Sequence, residues 1–331
     1  MIPTLKDVAE LAGVSRSAVS RTFTEGASVS ERMRRKVELA AQKLGYSPNA
    51  LASSLTTGRT KLVGLVSNNF QNPIFLEVFD LFTKTLQQRG LWPLIVNLSD
   101  ECEPADSLVM LRQYSVDAVV VASSTLPASF ASAFNDSGIP VVHTFGRFDP
   151  LPKVHVVGID NVECGRMAAR TLISREYKSI GYLGGPKGST SAQDRQSGFI
   201  SEVALHPTIK AKTRYSAGYS FEAGRNMMLK ELSEKPAEAY FCGDDIISIG
   251  ALSAIREHGL KPSKDIGIIG LNDMQMSGWQ SFDLTTIRQP VKKIVQASVD
   301  LIEEIVLQPN RDPEALIFPC QIVERGTLRK K

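Results

Sequence analysis

The chain has 331 residues, of which 43% are hydrophobic and 22% charged, and its formal net charge is +3. That length exceeds one ordinary domain and allows two or three, each with its own core, while the composition is that of a soluble globular protein. No apolar run approaches the roughly eighteen residues of a membrane span, and the N-terminal MIPTLKDVAE lacks the apolar stretch of a signal peptide, so we expect a cytoplasmic protein.

The positive charge is concentrated in the N-terminal fifth of the chain. Residues 1–60 contain nine Lys or Arg against five Asp or Glu, which leaves a net charge of −1 for residues 61–331. Such asymmetry indicates a small basic module that meets a polyanion, joined to a near-neutral body with another task. The four cysteines lie far apart without a C-x-x-C pair, which favours reduced, structural thiols over a disulfide framework.

Two short helices are predicted at the start of the chain. Thr4 and Asp7 have the spacing of a capping box, and the helix that they begin ends at Gly13. Its predicted buried stripe is Leu5, Val8, Ala9, Leu11 and Ala12. The second helix begins after Ser15, whose hydroxyl is suited to N-capping. A tight, glycine-containing joint between two short helices predicts a helix-turn-helix.

The second helix is predicted to have one polar face. At about 100° per residue, four side chains with hydrogen-bond donors fall on that face: Arg16, Ser17, Ser20 and Arg21. The first turn also presents free N–H groups and the positive end of the helix dipole, so phosphate or a base edge is the natural partner. A solvated surface face is the alternative, and this segment alone leaves both interpretations open.

Two further helices are predicted before residue 60. The third runs from about Ser30 to Leu44, with Gly45 as its stop. The fourth begins at Ser47 and ends near Leu55, and a polar linker follows it. A helix of roughly eight residues is marginal on its own. Residues 46–60 are therefore predicted to form a hinge whose order depends on what it contacts.

From residue 61 onward, short apolar runs alternate with helical stretches. The runs are KLVGLVS, WPLIVNL, VDAVVVAS, IPVVHTF, SIGYLGG, AYFCG and DIGIIGL, and a last helix near Val291–Leu307 leads into LIFPCQIVERG. This pattern predicts two side-by-side α/β lobes of parallel strands with a cleft between them. Ligands of such folds bind at the carboxyl ends of the strands. There the chain has Asn68, Asn69, Phe70, Ser123, Gly184, Asp244 and Asn272.

The chain resembles the lactose-repressor/galactose-repressor (LacI/GalR) family of bacterial transcription factors along its whole length. The resemblance is carried, in order, by TLKDVAELAGVSRSAVSR, VSERMRRKVELAAQKLGYSPNALASSL, GLVSNNFQNPIF, a GP followed by SAQDRQSGF, GDDIISIGAL, IIGLND and TTIRQP. It implies a small all-α helix-turn-helix head and an α/β body of two doubly wound lobes, like a type I periplasmic binding protein.

The same resemblance implies the division of the chain. The predicted DNA-binding domain is 1–45, the hinge helix and linker are 46–60, and the effector-binding and dimerisation domain is 61–331. Within the body, the N-lobe is predicted at about 61–159 and 291–320, and the C-lobe at about 160–290 and 321–331.

The head is predicted to read DNA. Arginine matches guanine O6 and N7 through two parallel hydrogen bonds, so Arg16 and Arg21 are predicted to contact bases, with a phosphate contact as the alternative for each. The resemblance adds Ser17 and implies that Leu55 is a wedge in the minor groove, with packing on the body as the alternative. The predicted DNA-binding residues are Thr4, Leu5, Ser15, Arg16, Ser17, Ser20, Arg21, Tyr46, Asn49, Ala52 and Leu55.

The cleft is predicted to hold a small molecule. The resemblance places Arg195, Tyr219, Asp244 and Asn272 in an effector pocket, and their guanidinium, carboxylate, amide and aromatic groups favour a sugar or polyol. A structural salt bridge is the alternative for Arg195, and a helix cap for Asp244. The predicted effector-binding residues are Asn69, Phe70, Phe75, Ser123, Phe145, Ser191, Arg195, Tyr219, Asp244 and Asn272. Phe145 and Asp244 depart from residues common in the family, so the effector is expected to differ from familiar ones.

The sequence therefore predicts a transcriptional repressor, without cofactor, whose affinity for a palindromic operator is controlled by an effector. Two hinge helices, one from each subunit, imply a homodimer. Because the sequence shows no appended heptad repeat, we expect a dimer and not a tetramer. A nucleotide-dependent enzyme is the first alternative, but in GGPKGSTS the lysine precedes the second glycine, which is the wrong order for a P-loop. A sugar-binding protein without DNA function is the second, and the basic head counts against it.

Overall fold

The computed structural model describes residues 3–24, 26–48, 54, 58–98 and 104–330. The chain divides into two compact units, Met1–Lys61 and Leu62–Lys331, which we call the head and the body. The described part of the head is helical, and the body contains two six-stranded sheets. No helix among these residues is long and apolar enough to cross a membrane.

The described part of the head consists of α1 (Leu5–Ala12), α2 (Arg16–Thr22) and α3 (Glu31–Leu44). The predicted capping box is present, because the Thr4 hydroxyl accepts from the Asp7 N–H and the Asp7 carboxylate accepts from the Thr4 N–H. Gly13 and Gly45 close α1 and α3 with φ of 58° and 64°, a left-handed conformation that is accessible to glycine. The helix-turn-helix predicted from the sequence is confirmed.

The three helices pack around a small apolar core. Its buried members are Val8, Ala9, Ala12, Val19, Val37, Ala40 and Ala41. Leu11 was predicted to belong to this core, but it is 51% exposed. That prediction is wrong because α2 and α3 cover only the narrower face of α1 that carries the buried members. A polar contact also joins the helices, since Nη1 of Arg34 in α3 donates to the Thr22 carbonyl oxygen at 3.1 Å.

One sheet of the body defines the N-lobe. Its strands are β1 (Leu62–Ser67), β2 (Trp92–Asn97), β3 (Ala118–Ala122), β4 (Val141–Thr144), β5 (His155–Gly158) and β11 (Ala315–Ile317). They lie in the order β11-β5-β4-β3-β1-β2, and all neighbours are parallel. The central strands β3 and β4 are buried along their whole length, as a sheet covered on both faces requires.

The other sheet defines the C-lobe. Its strands are β6 (Ser179–Gly184), β7 (Lys210–Tyr215), β8 (Ala239–Cys242), β9 (Gly267–Asn272), β10 (Thr286–Arg288) and β12 (Gln321–Val323). They lie in the order β12-β10-β9-β8-β6-β7, and only the pair β10–β12 is antiparallel. The fold is therefore the predicted pair of doubly wound α/β lobes.

Helices cover both sheets. Those of the N-lobe are α4 (Ile74–Gln88), α5 (Pro104–Gln113), α6 (Ala128–Asp136) and α11 (Val291–Leu307). Those of the C-lobe are α7 (Asn161–Ile173), α8 (Thr190–Val203), α9 (Phe221–Ser233) and α10 (Asp245–Glu257). The chain passes between the lobes three times, after β5, after β10 and between β11 and β12. These crossovers leave a cleft at the carboxyl ends of the strands.

The seven predicted apolar runs correspond to β1, β2, β3, β4, β6, β8 and β9, and the predicted last helix is α11. Three strands were not predicted: β5, β7 and β10. The sequence of β7, KAKTRY, is largely polar because β7 is an exposed edge strand of the C-lobe sheet. Charged side chains at such an edge oppose pairing with another chain, and they also hide the strand from a search for apolar runs.

A buried carboxylate ties the C-lobe together at the start of α10. Asp245 is fully buried and accepts hydrogen bonds from the Thr286 hydroxyl at 2.6 Å, the Ser277 hydroxyl at 2.7 Å and the Met274 N–H at 2.9 Å. These contacts join α10 to β10 and to the turn that follows β9. Burial raises the pKa of Asp245 to about 7, although its hydrogen bonds stabilise the carboxylate and act to lower the pKa.

We therefore expect Asp245 to make the free energy of unfolding depend on pH. The folded protein retains this proton up to about pH 7, whereas the unfolded chain releases it near its ordinary value of 3.8. The stabilisation is thus full below the unfolded pKa and is lost as the pH rises through about 7. Asp245→Asn keeps a neutral side chain throughout, so its melting temperature relative to wild type should rise between about pH 4 and pH 7 and level off above that.

Thermal unfolding over this pH range measures the difference between variant and wild type. Asp136→Asn, at an exposed aspartate that ends α6, is the matched control and should follow the wild-type curve. Parallel curves for Asp245→Asn and wild type would contradict the prediction.

Candidate functional site

The polar face of α2 is open to solvent. Arg16, Ser17, Ser20 and Arg21 are all exposed, whereas Val19 and Thr22 are buried against the other helices. The Ser15 hydroxyl caps the helix by accepting from the Ala18 N–H at 3.2 Å, and it lies 2.9 Å from the Ser17 hydroxyl. Within the described residues, neither arginine forms a salt bridge, so both guanidinium groups are available to an anion outside the chain.

The other predicted DNA-binding residues of the head divide between surface and core. Thr4 is exposed, and its hydrogen bonds lower the pKa of the Asp7 carboxyl. Leu5 is half-buried and packs on the head core. Tyr46 is also half-buried, with its ring centroid 6.0 Å from that of Phe23, and burial raises its pKa. Asn49, Ala52 and Leu55, together with most of the predicted fourth helix, lie outside the described residues.

Two pockets lie between the lobes of the body. The inner pocket is lined by Ile74, Phe75, Val78, Ser124, Phe145, Ile159, Asn161, Arg195, Asp244, Asn272 and Gln289. Its free volume is about 20 Å³, enough for one water molecule. The outer pocket has about 540 Å³ and is lined by Asn68, Asn69, Phe70, Gln71, Asn97, Leu98, Thr125, Pro186, Gly188, Ser189, Ala217, Gly218 and Tyr219.

The inner pocket has an apolar wall in the N-lobe and a polar wall in the C-lobe. Phe75 of α4 and Phe145 after β4 meet edge to face, with centroids 6.1 Å apart. Phe145 has a φ of 65°, a left-handed conformation that is strained for a bulky side chain. Such strain persists only where the surrounding structure holds it, and it is concentrated at functional sites. The polar wall faces these rings with amide, carboxylate and guanidinium groups.

Asp244 is the centre of the polar wall. Its Oδ2 accepts from the Asn72 amide of the N-lobe at 2.8 Å and from the Asn272 amide of the C-lobe at 2.9 Å. Its Oδ1 accepts from the Ile246 N–H at 3.0 Å, so the same carboxylate also caps α10. Burial raises the pKa of Asp244, while these hydrogen bonds and the charge of Arg195 act in the opposite direction. Asp244 is therefore both a helix cap and a pocket residue.

Arg195 is held in place by α7. Its Nε donates to the Asn161 side-chain oxygen at 2.8 Å, and its Nη1 donates to the Gly243 carbonyl oxygen. The helix α7 and the helix of Arg195, α8, touch because Gly165 and Gly198 lack side chains. A Cβ at Gly165 would lie 2.0 Å from the Arg195 carbonyl oxygen, and a Cβ at Gly198 would lie 1.8 Å from the Val162 carbonyl oxygen. The salt bridge considered for Arg195 is not found among the described residues.

Gln289 is a pocket residue that the sequence analysis missed. It lies in the crossover after β10, and its Nε2 donates to Oδ1 of Asn272 at 2.7 Å. Its own Oε1 is buried without a hydrogen-bond partner among the described residues. A buried acceptor without a partner carries a desolvation cost, which a donor group on a bound molecule would remove. The TTIRQP segment contained this residue, but no spacing rule distinguished its glutamine.

The outer pocket brings together three of the predicted residues: Asn69, Phe70 and Tyr219. The Phe70 ring is 39% exposed and stacks on Phe79 with centroids 4.8 Å apart. The Tyr219 hydroxyl lies 3.0 Å from the Ser189 hydroxyl, and Ser189 also caps α8.

Two predicted residues line neither pocket. Ser191 is buried behind Tyr219, with the two hydroxyls 3.2 Å apart, and Ser189 takes its place at the surface of the outer pocket. The Ser123 hydroxyl turns into its own loop, where it donates to Oδ1 of Asn68 at 2.9 Å, and Ser124 lines the inner pocket instead. Ser123 lies just after β3 and Ser191 lies in the first turn of α8, where sequence spacing alone does not decide which side chain faces the cleft. Their contact with an effector stays a prediction.

Several polar contacts join the lobes across the cleft. Besides the bond from Asn72 to Asp244, Arg147 of the N-lobe forms a salt bridge with Asp194 of α8, with Nε 3.0 Å from Oδ2. The Ser124 carbonyl oxygen accepts from the Ser191 N–H at 3.2 Å. Hydrogen bonds of this kind can exchange for contacts with a ligand, so the arrangement suits a cleft whose lobes move relative to each other.

The described residues include no group of three or more His, Cys, Asp or Glu that could hold a metal ion. The GGPKGSTS segment, considered above for a nucleotide, forms the end of β6 and the turn into α8. The lysine of this segment, Lys187, is exposed.

Known families match both parts of the chain. Residues 4–49 match the bacterial regulatory proteins of the lacI family, and residues 169–328 match a periplasmic binding protein-like domain. The HTH-type transcriptional repressor PurR of Actinobacillus pleuropneumoniae is 32% identical over 98% of each chain. PurR of Proteus mirabilis is 30% identical over 98% of this chain and 96% of its own.

Solved structures share the fold. The lac repressor dimer bound to operator and the anti-inducer ONPF has a TM-score of 0.90 and 24% identity, with full coverage of both chains. The transcriptional regulator CelR in complex with cellobiose has a TM-score of 0.73 and 25% identity, over 98% of this chain and 99% of its own.

Together these matches confirm the resemblance. The chain belongs to the lacI family of bacterial regulatory proteins, which are DNA-binding transcriptional repressors controlled by small-molecule effectors.

Proposed function

We propose that this repressor binds a palindromic operator as a homodimer, that α2 of each subunit reads the bases, and that an uncharged sugar or polyol in the cleft sets the operator affinity. Two features support the proposal: the exposed donor face of α2 and the buried polar wall centred on Asp244. In this proposal residues 1–45 bind DNA, 46–60 form the hinge, and 61–331 bind the effector and form the dimer. In this proposal the protein works in the cytoplasm, because its operator lies there.

The properties of α2 support base reading. A helix fits the major groove, and arginine at its start can make two parallel hydrogen bonds to guanine. Arg16 lies in the first turn and Arg21 in the last, on the same exposed face and without a salt bridge among the described residues. Ser17 and Ser20 lie between them and can donate to bases or phosphates. The lac repressor dimer that is bound to operator has the same fold.

The charge of the inner pocket supports an uncharged effector. The ionisable side chains that line it are Arg195 and Asp244, whose charges balance. The second guanidinium near the cleft, that of Arg147, is paired with Asp194. Among the described residues that line the inner pocket, a phosphate would therefore meet no cation beyond the one that Asp244 balances, whereas hydroxyl groups can both donate to Asp244 and accept from amides. CelR, which shares the fold, is in complex with the sugar cellobiose.

The groups of the cleft support binding rather than catalysis. Asp244 and Arg195 are engaged with amide groups and backbone, as suits groups that orient a ligand. A general base or nucleophile must offer a free oxygen to the substrate, whereas both oxygens of Asp244 already accept hydrogen bonds from the protein. The proposed protein is a regulator and not an enzyme.

The small free volume of the inner pocket supports coupling to the arrangement of the lobes. About 20 Å³ admits no sugar ring, so a ligand that enters must displace the phenyl rings or separate the lobes. A ligand that binds one arrangement better shifts the population toward it. Because residues 46–60 lead directly into the two-lobed body of each subunit, such a shift can change how well two hinge segments fold on DNA.

The base-reading role predicts a change in sequence preference. Arg21→Ala should relax the preference at one position of each half-site and reduce discrimination there by about 1–3 kcal/mol, because a bidentate contact to guanine is lost. Selection of bound duplexes from a random library, followed by sequencing, measures the preference at every position.

Arg32→Ala, which removes an exposed arginine of α3, is the control and should leave the selected sequence unchanged. If Arg21→Ala weakened binding equally on all sequences, Arg21 would be a phosphate contact, and this part of the proposal would be wrong.

The pocket predicts which compounds bind. In a thermal-shift screen of neutral sugars, polyols and their phosphates, at least one neutral compound should raise the melting temperature and its phosphate should not. A compound at 100 times its Kd adds about 2.7 kcal/mol to the free energy of unfolding. Gln289→Leu should weaken the binding of that compound by roughly tenfold, because one hydrogen bond contributes about 1.4 kcal/mol.

Gln308→Leu, at the exposed end of α11, is the matched control and should bind as wild type does. A response to phosphorylated compounds alone would overturn the proposed effector class, and an unchanged affinity in Gln289→Leu would remove Gln289 from the site.

A further inference from the structure

Two cysteine thiols meet at the junction of the lobes. Cys164 lies in the first turns of α7, and Cys320 lies in the crossover between β11 and β12. The Phe318 N–H donates to the Gly158 carbonyl oxygen at 2.9 Å, so the segment that contains Cys320 runs beside the residues that lead into α7. The thiols of Cys164 and Cys320 interact there through a hydrogen bond. The effector and DNA sites described above make no use of this pair, although Arg195 of the inner pocket is close enough to influence both thiols.

The two thiols differ in access to solvent. Cys164 is 2% exposed, whereas Cys320 is only half-buried. A small reagent from solvent therefore reaches Cys320 first. Oxidation-sensitive cysteines of this kind are accessible and lie beside a second cysteine that can complete a disulfide.

The environment also assigns different roles to the thiols. The hydrogen bond from Cys164 and the charge of Arg195 lower the pKa of Cys320, which favours its thiolate. The hydrogen bond to Cys320, together with burial, raises the pKa of Cys164 and keeps its proton. Because Cys320 is also the thiol that solvent reaches, Cys320 is the nucleophile, and the buried Cys164 is the partner that resolves the first product.

The position of the pair gives oxidation a mechanical consequence. Cys320 belongs to one crossover between the lobes, and the Cys164 N–H donates to the carbonyl oxygen of Asp160, in another crossover, at 3.0 Å. A bond between the two sulfurs would connect two of the three crossovers about which the lobes move. Asn161, one turn before Cys164, also holds Arg195 of the inner pocket.

We propose that Cys164 and Cys320 form an oxidation site at which a peroxide produces a disulfide that links two interlobe crossovers. The Cys320 thiolate attacks one oxygen of hydrogen peroxide, the O–O bond breaks, and the products are a sulfenic acid and, after protonation, water. The Cys164 sulfur then attacks the Cys320 sulfur, an S–S bond forms, and the hydroxyl leaves as a second water molecule with the Cys164 proton. In sum, two thiols are oxidised and one peroxide is reduced to two waters. A cellular thiol such as glutathione reverses the reaction.

Peroxide treatment of the full chain tests the site. The background variant is Cys102→Ser, because Cys102 lies outside the described residues. After brief treatment with hydrogen peroxide, blocking of free thiols and digestion with trypsin, mass spectrometry should find peptides 154–166 and 312–325 joined by a disulfide. Dithiothreitol should separate them.

Cys242 provides an internal control. It is fully buried in β8, and burial raises its pKa to about 12, so it should remain a free thiol under the same conditions. Cys164→Ser should leave Cys320 as a sulfenic acid that reacts with dimedone. Cys320→Ser should reduce the oxidation of Cys164 at least tenfold, because the accessible nucleophile is gone.

Two results would overturn the proposal. One is a wild-type protein in which Cys320 is oxidised and labelled by dimedone without forming the link to Cys164. The other is oxidation of Cys164 at the same rate with and without Cys320. Because these readouts need neither operator nor effector, they are independent of the proposed function.

Discussion

The arrangement of the cleft depends on one buried carboxylate that is hydrogen-bonded from both lobes. Asp244 accepts from Asn72 of the N-lobe and Asn272 of the C-lobe while it caps α10. A buried charge is tolerated only when its hydrogen-bonding capacity is met, so these amides are held in fixed positions. Gln289 and Arg195 then take their places around the same centre, and any ligand that enters must take over some of these bonds.

This constraint explains why binding and lobe arrangement are inseparable in the proposed mechanism. The apolar wall of Phe75 and Phe145 leaves almost no free volume against the polar wall. A ligand therefore exchanges contacts between the lobes for contacts with itself, and the three crossovers confine the resulting motion. Coupling of this kind works in both directions, because an effector that changes operator affinity must have its own affinity changed by the operator.

Much of the fold was predictable from the sequence because local signals decide it. The capping box at Thr4, the αL glycines and the apolar runs specified the helix-turn-helix and seven strands. The edge strand β7 was hidden by its charged residues. In the cleft, Asp244, Asn272 and Arg195 could be placed at strand or helix ends, but Ser191 and Ser123 could not be distinguished from Ser189 and Ser124. Which serines line a pocket, and whether Gln289 does so, depends on packing between segments that are distant in the sequence.

The most direct test of coupling between the cleft and the operator measures the affinity of a cleft-binding compound with and without the operator. Isothermal titration of the compound into the free protein and into the protein–operator complex gives the two dissociation constants. Coupling between the cleft and the operator predicts a difference of roughly fivefold or more, equal to the change that the compound causes in operator affinity. Equal affinities in the presence and absence of the operator would contradict it.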